Sequence, residues 1–437
     1  MSIVRKVAVY ILLTSTYGIT YLIALLGSII PRRSWNPTGR VLVTGTFYND
    51  GWYLSHVTPL SRCGMKEVIM VTDEPQLPLE RVKVVCPPSW ALRLFGRIGA
   101  RTIWVFIAGF RYRPDLYMGY YLAPGACTAL VVGKLLGRPS CYQMTSGPVT
   151  IVGGGFAVID SIEGTLGRPS KLIETLALRV IRKFELVIVR GNRAKEFLAT
   201  RGIKDSVTVI TGSVNSCRQQ LQNDRDIHLI FIGRLSPVKQ VDQFINIVRE
   251  VAQAIPSIRA VIIGDGPLAD DLKTQVTQLG LKHNIQFLGR RKDVSELLAH
   301  SKIFILPSKT EGLSIALAEA MTSGVVPVVA DVGELGDLVE DGVNGYLIQP
   351  NSIEDYVDRV MSILGNFEHW QELSGKACNA AMQLCDVSVV SKRWHDHLQA
   401  TIARAPGFVF NENNRDFKSV DSTIEKPYIG NAKENNA

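Results

Sequence analysis

Residues 308–321 read Ser-Lys-Thr-Glu-Gly-Leu-Ser-Ile-Ala-Leu-Ala-Glu-Ala-Met. Three signals overlap here. Upstream, residues 303–306 (IFIL) form a short apolar run, the pattern of a buried strand. Downstream, Ala, Leu, Glu and Met make a good helix. Between them a short turn carries Glu311 and Gly312. A strand that passes through a turn into a helix puts that turn at the strand's carboxyl end, where open α/β sheets bind ligands. With the helix starting near Leu313 or Ser314, the N–H groups of Gly312, Leu313 and Ser314 are free and form an anion site with the helix dipole. Glu319 follows Glu311 by eight residues, about 12 Å further on if the stretch is helical. That separation suits a ligand with a sugar at one end, a ribose at the other and a diphosphate between. Carboxylates accept paired hydroxyl hydrogen bonds, so Glu311 is expected on the sugar and Glu319 on the ribose. Two surface glutamates beside a helix are the competing reading. Glu319, however, lies among Ala316, Leu317, Ala318, Ala320 and Met321, and a carboxylate in that company needs a partner.

The same alternation extends outward. Residues 229–232, 260–263, 326–329 and 346–348 read as strands separated by helix-length stretches, and 40–44, 67–71, 115–118 and 186–189 repeat the pattern in the first half. This is the signature of doubly wound α/β units. Two further turns fall at strand ends. The first runs Gly233-Arg234-Leu235-Ser236-Pro237-Val238-Lys239. There Gly233 permits close backbone approach, Arg234 offers a planar fork for phosphate oxygens and Lys239 a mobile charge. The second is Gly264-Asp265-Gly266-Pro267, in which Pro267 suits the first turn of the next helix. Each alone reads equally well as an ordinary turn.

The chain's 437 residues suit two domains. Its net charge of +8 lies near apolar segments rather than in basic runs interleaved with aromatics, which argues against nucleic acid. Seven scattered cysteines without C-x-x-C spacing point to a reducing compartment and away from a disulfide framework or structural zinc.

In this order, the 233–239 turn, the 264–267 turn, the Glu311–Glu319 pair, the 324–330 strand (GVVPVVA) and the 341–345 turn (DGVNG) resemble a retaining GT-B glycosyltransferase of family 4, the glycosyl transferases group 1. The resemblance covers roughly residues 229–364. It implies two Rossmann-like domains facing a cleft, with a nucleotide diphosphate-sugar as donor, a UDP-sugar before a GDP-sugar. It further implies that Arg234 and Lys239 neutralise the departing diphosphate, Glu311 holds the sugar and Glu319 the ribose, with no metal required. No Asp-x-Asp motif accompanies these residues; Asp270-Asp271 reads as the first turn of a helix.

The first half departs from the pattern. Gly45, after the first strand, is a candidate for close approach of donor phosphate, and residues 153–155 (Gly-Gly-Gly) for a mobile loop. Relatives carry a histidine where this chain has Leu116-Tyr117-Met118-Gly119-Tyr120, which leaves His56 as the only histidine before the linker to take that role. A structural histidine is the alternative.

Residues 7–30 carry no charge over 24 positions between Arg5-Lys6 and Arg32-Arg33. As a helix this is about 36 Å, enough to cross a hydrocarbon core of about 30 Å, or to lie re-entrant or interfacial. Residues 81–113 hold seven Lys or Arg and no acid, and the four-residue spacing of Arg93, Arg97 and Arg101 predicts one basic face for an anionic membrane. The expected layout is a membrane anchor over 1–33, an acceptor domain over 34–210, a linker at 211–225, a nucleotide-sugar domain over 226–385, helices packing back over 386–404 and a disordered tail from 405 to 437. A lipid-linked or polysaccharide acceptor at a membrane surface follows, with the catalytic domains on the cytoplasmic side. A sugar-nucleotide epimerase of the same architecture, or a non-catalytic membrane scaffold, are the alternatives.

Overall fold

The computed structural model describes residues 3–29, 37–47, 50–157, 162–214 and 225–407. Nearly all of the tail expected from 405 onward, the linker residues 215–224 and anchor residues 30–33 lie outside that set, as does Cys217. The six cysteines within it are free thiols.

The described chain opens with helix α1 (Ile3–Ile29) and then alternates. The first unit contains β1 (Arg40–Thr44), α2 (Asp50–Ser61), β2 (Glu67–Val71), β3 (Val82–Val85), α3 (Ser89–Tyr112), β4 (Leu116–Tyr120), α4 (Cys127–Leu135), β5 (Ser140–Gln143), α5 (Lys171–Ile181), β6 (Leu186–Val189), α6 (Asn192–Ala199) and β7 (Val207–Val209). The second contains β8 (Ile227–Ile232), α7 (Val241–Ala254), β9 (Ala260–Ile263), α8 (Ala269–Gln278), β10 (Ile285–Gly289), α9 (Val294–Ala299), β11 (Ser301–Leu306), α10 (Ile315–Thr322), β12 (Val326–Ala330), β13 (Tyr346–Ile348), α11 (Ile353–Leu364) and α12 (Phe367–Cys385). Helix α13 (Val387–Ala403) is the last element of the described residues.

Both sheets are parallel throughout, in the orders β3-β2-β1-β4-β5-β6-β7 and β10-β9-β8-β11-β12-β13. Chain direction across each sheet reverses at its first strand, so each has a ligand-binding switch point, at β1/β4 and at β8/β11. The predicted strands form as β-branched runs buried on both faces. Four strands had no such signal: β3, β7 and β10 are short and part-exposed, and β5 reads Ser-Cys-Tyr-Gln. Strand β5 is buried between β4 and β6, and at its start Glu185 accepts the N–H and hydroxyl of Ser140. Strand β4 starts one residue later than predicted, because Asp115 is a tether. Its carboxylate accepts N–H bonds from Thr38, Gly39 and Arg40, and burial, the larger influence, still pushes it up to about 6.

Val390, Trp394, Leu398 and Ile402 of α13 sit in one core with β1, β2 and β4 of the first sheet. The chain therefore crosses between units at residues 210–214 and again near Asp386, where the Val214 N–H bonds the Cys385 carbonyl and the Thr211 hydroxyl bonds that of Leu384.

Helix α1 is long and apolar enough to span a membrane, yet it lies on the first unit. Leu13, Tyr17, Thr20, Ala24 and Gly27 make one buried stripe against α4 and α5. A β-carbon at Gly27 would stand 2.8 Å from that of Lys134, and the Lys183 ammonium sits 5.3 Å from the Tyr21 ring centre. The opposite stripe, with Ile11, Ile19, Leu22 and Leu26, is exposed.

The shared basic face expected for Arg93, Arg97 and Arg101 does not form. Gly96 (φ 68°, ψ 170°) breaks the helical path between the first two. Arg97 bonds Glu74, and Arg101 turns inward, where it is buried and donates to the Gly45 carbonyl, the Thr46 hydroxyl and Asp73 at 3.0 Å. Sequence spacing placed them together; a kink and a distant carboxylate separate them.

Candidate functional site

The three glycine-bearing turns of the second unit interlock at the carboxyl ends of β8, β9 and β11. The Gly233 N–H donates to the Ile263 carbonyl, the Leu235 N–H to that of Asp265, and the Lys309 N–H to that of Val238. Gly264 (φ 137°) leaves no room for a side chain, since a β-carbon there would stand 1.8 Å from the Gly233 carbonyl oxygen. Helix α8 opens at Ala269 behind Leu268, so Pro267 lies just before its first turn rather than within it.

Lys239 and Glu311 meet. Lys239 ends a 3₁₀ turn, and its Nζ lies 2.5 Å from Glu311 Oε1, the carboxylate being only 8% exposed. An ammonium thus stands beside a carboxylate at the mouth of the turn that leads into α10. That helix begins at Ile315, one residue past the expected start. Ser314 is its N-cap, with Oγ accepting from the Leu317 N–H at 3.3 Å, and Gly312 and Leu313 form the loop before the helix. Arg234 is exposed on the neighbouring turn.

Glu319 lies on α10, largely buried. Its carboxylate takes no hydrogen bond or ion pair from the described residues, and burial pushes it up to about 7. It lines a cavity of about 160 Å³ between the two units, with Ser55 and Ser213 on one side and Ser295 and Thr322 on the other. A carboxylate in such a place is poorly solvated until hydroxyl groups reach it.

Residues that sequence reasoning missed complete the cleft. A β-carbon at Gly333 (φ 55°) would stand 1.9 Å from the Glu311 carbonyl oxygen, so this loop packs directly on Glu311. From the same loop Glu334, 1% exposed, accepts the N–H groups of Arg193 and Ala194, and Asp337 that of Asn192 at 2.6 Å. Asp331 pairs with Arg193 at 2.5 Å. The second unit thereby clasps the start of α6 in the first. Burial first, then Asp337, raises the Glu334 carboxyl above its usual range. Across the cleft, a β-carbon at Gly312 would stand 2.9 Å from the Thr145 carbonyl. Gly289, which ends the missed β10, accepts the Gly264 N–H and leads into Arg290 and Arg291 at the same rim.

The first unit contributes polar groups along the carboxyl edge of β1, β4, β5 and β6. The hydroxyls of Thr44, Ser55, Tyr120 and Thr145, the Gln143 amide and one Arg190 nitrogen are buried without a partner among the described residues. Burial lowers Arg190 to about 10. An arginine closing an LVIV strand was the one signal for this row.

Three features singled out in the first unit take definite surroundings. Gly45 is required because β4 passes close by, a β-carbon there standing 2.8 Å from that of Tyr120. The triple glycine is not a mobile loop: Gly153 and Gly154 are buried, Gly154 packs on Ile173, and the Gly153 N–H donates to Glu174. His56 is buried, stacked on Trp52, with Nδ1 on the Trp52 carbonyl at 2.8 Å. Burial, and then Arg190, holds it well below its usual range, in the neutral form.

Two doubly wound units with strand ends facing a common cleft define the GT-B fold. Anabaena Alr3699/HepE in complex with UDP has the same fold, with a TM-score of 0.65 at 19% identity over 82% of this chain and 99% of that one. Residues 215–379 match the family model for glycosyl transferases group 1, so the second unit is a domain of that family. The UDP-Gal:alpha-D-GlcNAc-diphosphoundecaprenol alpha-1,3-galactosyltransferase of Escherichia coli is 33% identical over 135 residues, 30% of this chain and 35% of that protein. The poly(ribitol-phosphate) alpha-N-acetylglucosaminyltransferase of Staphylococcus aureus is 27% identical over 165 residues, 37% and 33% of the respective chains. This chain thus spans about a third of the length of each of these two curated relatives.

Proposed function

We propose that this protein is a retaining glycosyltransferase of family 4 that moves a hexose or N-acetylhexosamine from a UDP-sugar to a lipid-linked or polysaccharide acceptor. The observation that carries the reading is the Lys239–Glu311 contact beside the glycine loop into α10, with the unpartnered Glu319 further along. In this reading the diphosphate lies between Lys239, Arg234 and the N–H groups of Gly312 and Leu313, which stabilise the charge that develops as it leaves. The nucleotide takes Lys239 partly away from Glu311, whose carboxylate then binds sugar hydroxyls. Glu319 receives the ribose diol, and two cations with the loop N–H groups at the entry to α10 do the work a metal does elsewhere.

The acceptor meets the edge of the first sheet. His56 is a poor base there, because its Nδ1 is engaged and its ring is sealed in. Departing phosphate as proton acceptor, on the face that the nucleophile also uses, removes the need for a protein base. The exposed stripe of α1 rests in the membrane interface with α1 laid on the domain, a monotopic arrangement that leaves both units on the cytoplasmic side. A lipid-linked acceptor is supported by the galactosyltransferase relative, whose acceptor is a diphosphoundecaprenol. Incubating the purified protein and a membrane extract with a panel of nucleotide sugars, followed by mass spectrometry, tests the whole reading. A lipid fraction heavier by one sugar is expected; interconversion of the nucleotide sugar, or no turnover, defeats it.

A further inference from the structure

Between α1 and α3, above α4, runs a groove of about 250 Å³ that the catalytic reading does not use. Its walls are Leu12 and Thr16 of α1 and Ile98 and Thr102 of α3; Pro124 and Val131 lie at its floor. The groove is less polar than its threonines suggest. Thr102 donates its hydroxyl to the Ile98 carbonyl at 2.9 Å, and the Thr128 hydroxyl is 3.2 Å from that of Thr102, so these two hydroxyls are engaged within the protein. Among the described residues lining it, Glu163 alone is charged.

We propose that this groove holds a hydrocarbon tail of the acceptor lipid and guides its head group to the cleft, an inference that rests on the lipid-linked acceptor proposed above. The two helices that wall the groove present exposed apolar side chains beyond it: Leu22 and Leu26 on α1, Leu94, Phe95 and Phe110 on α3. Arg5 and Lys6 of α1 and Arg93 of α3 supply positive charge on the same helices, which complements lipid phosphates. At its inner end, Ala123 and Pro124 come shortly after Tyr120, the last residue of β4, with Tyr121 and Leu122 between. The next residue, Gly125, packs so closely that a β-carbon there would stand 2.2 Å from the Tyr120 carbonyl oxygen and 3.4 Å from that of Thr44. The groove thus ends at the strand edge that faces the donor site. A chain lying in it is shielded from water along its length while its polar end arrives at the cleft.

The test uses the full chain with vesicles of phosphatidylcholine and phosphatidylglycerol, doped with a phosphatidylcholine carrying a photoactivatable diazirine in its acyl chain. After irradiation, labelled residues are mapped by mass spectrometry. Label at Thr102, Thr128 and Val131 is expected, and Ile98→Trp, at an exposed position on the rim, should abolish it while vesicle binding persists. Val131→Phe fills the floor instead and should do the same; UDP binding and an unchanged melting temperature establish that either variant is folded. Label confined to outward positions such as Leu22, Leu26 and Phe110, or label in the groove that survives both substitutions, overturns the proposal. The labelling needs no turnover, so a protein that transfers no sugar yet labels in the groove separates the two readings.

Discussion

Replacing Glu319 by Gln should stabilise the unliganded protein while weakening its hold on UDP. An acid whose folded pKa is raised binds more protons folded than unfolded between its two pKa values. For Glu319 that window runs from the ordinary 4.5 to about 7. Stability therefore falls as pH rises through the window, and the loss is complete above it. A shift of this size corresponds to about 3 kcal/mol at pH 8, where the wild-type carboxylate is charged, largely buried and without a partner among the described residues. The amide of Glu319→Gln keeps the volume and carries no charge, so the variant should be more stable by up to that amount at pH 8 and nearly equal to wild type at pH 4.5. UDP has the opposite effect, since ribose hydroxyls bonded to a charged acceptor stabilise the complex by about 1.5–3 kcal/mol, roughly a tenfold or greater loss of affinity in the variant. Wild-type affinity should also rise from pH 6 to pH 8, and that of the variant should not. Thermal denaturation across pH 4.5–8 and titration calorimetry with UDP measure both arms. A variant that is less stable at pH 8, a stability difference independent of pH, or unchanged UDP affinity would refute the reasoning.

Other expectations can be checked in the same way. Lys239→Ala should cut turnover by roughly 10²–10³. It also leaves Glu311 unpaired and should cost about 1–3 kcal/mol by urea denaturation; Lys239→Met with Glu311→Gln should recover that stability and not the transfer, a double-mutant coupling. Gly333→Ala forces a β-carbon onto the Glu311 carbonyl at positive φ, so UDP-sugar binding by calorimetry should be largely lost. Glu334→Ala frees two N–H groups at the start of α6, which should cost about 1 kcal/mol and enlarge the radius of gyration in solution scattering as the units open. Arg101→Ala strands Asp73 in a buried site and should destabilise by about 3–5 kcal/mol, whereas Arg93→Ala should lower binding to anionic vesicles and leave stability nearly unchanged.

The frame of the second unit was legible because its strands are β-branched runs ending in turns with glycine, and because Glu319 is a charge among apolar neighbours whose cost is visible in one dimension. The first unit was legible only in part. Strand β5 spells Ser-Cys-Tyr-Gln, and the polar group at its start is satisfied by Glu185, which lies 45 positions away from Ser140. The four-residue rhythm of Arg93, Arg97 and Arg101 predicted one face, but rhythm does not reveal that Gly96 takes a left-handed φ or that Asp73 waits for Arg101. The contact of Lys239 with Glu311 joins residues 72 apart, and that of Glu334 with Arg193 residues 141 apart. Such pairings belong to the packing of loops from separate strands, which local periodicity does not encode. The long apolar run of α1 predicted a helix long enough to cross a membrane, and that helix forms; that one of its stripes is spent on α4 and α5 is a tertiary fact.

A crystal structure with UDP tests the central claim most directly. The account predicts a diphosphate within hydrogen-bond distance of Lys239 Nζ and the N–H groups of Gly312 and Leu313, with the ribose hydroxyls on Glu319. A diphosphate bound away from Lys239, or a ribose turned from Glu319, would contradict it.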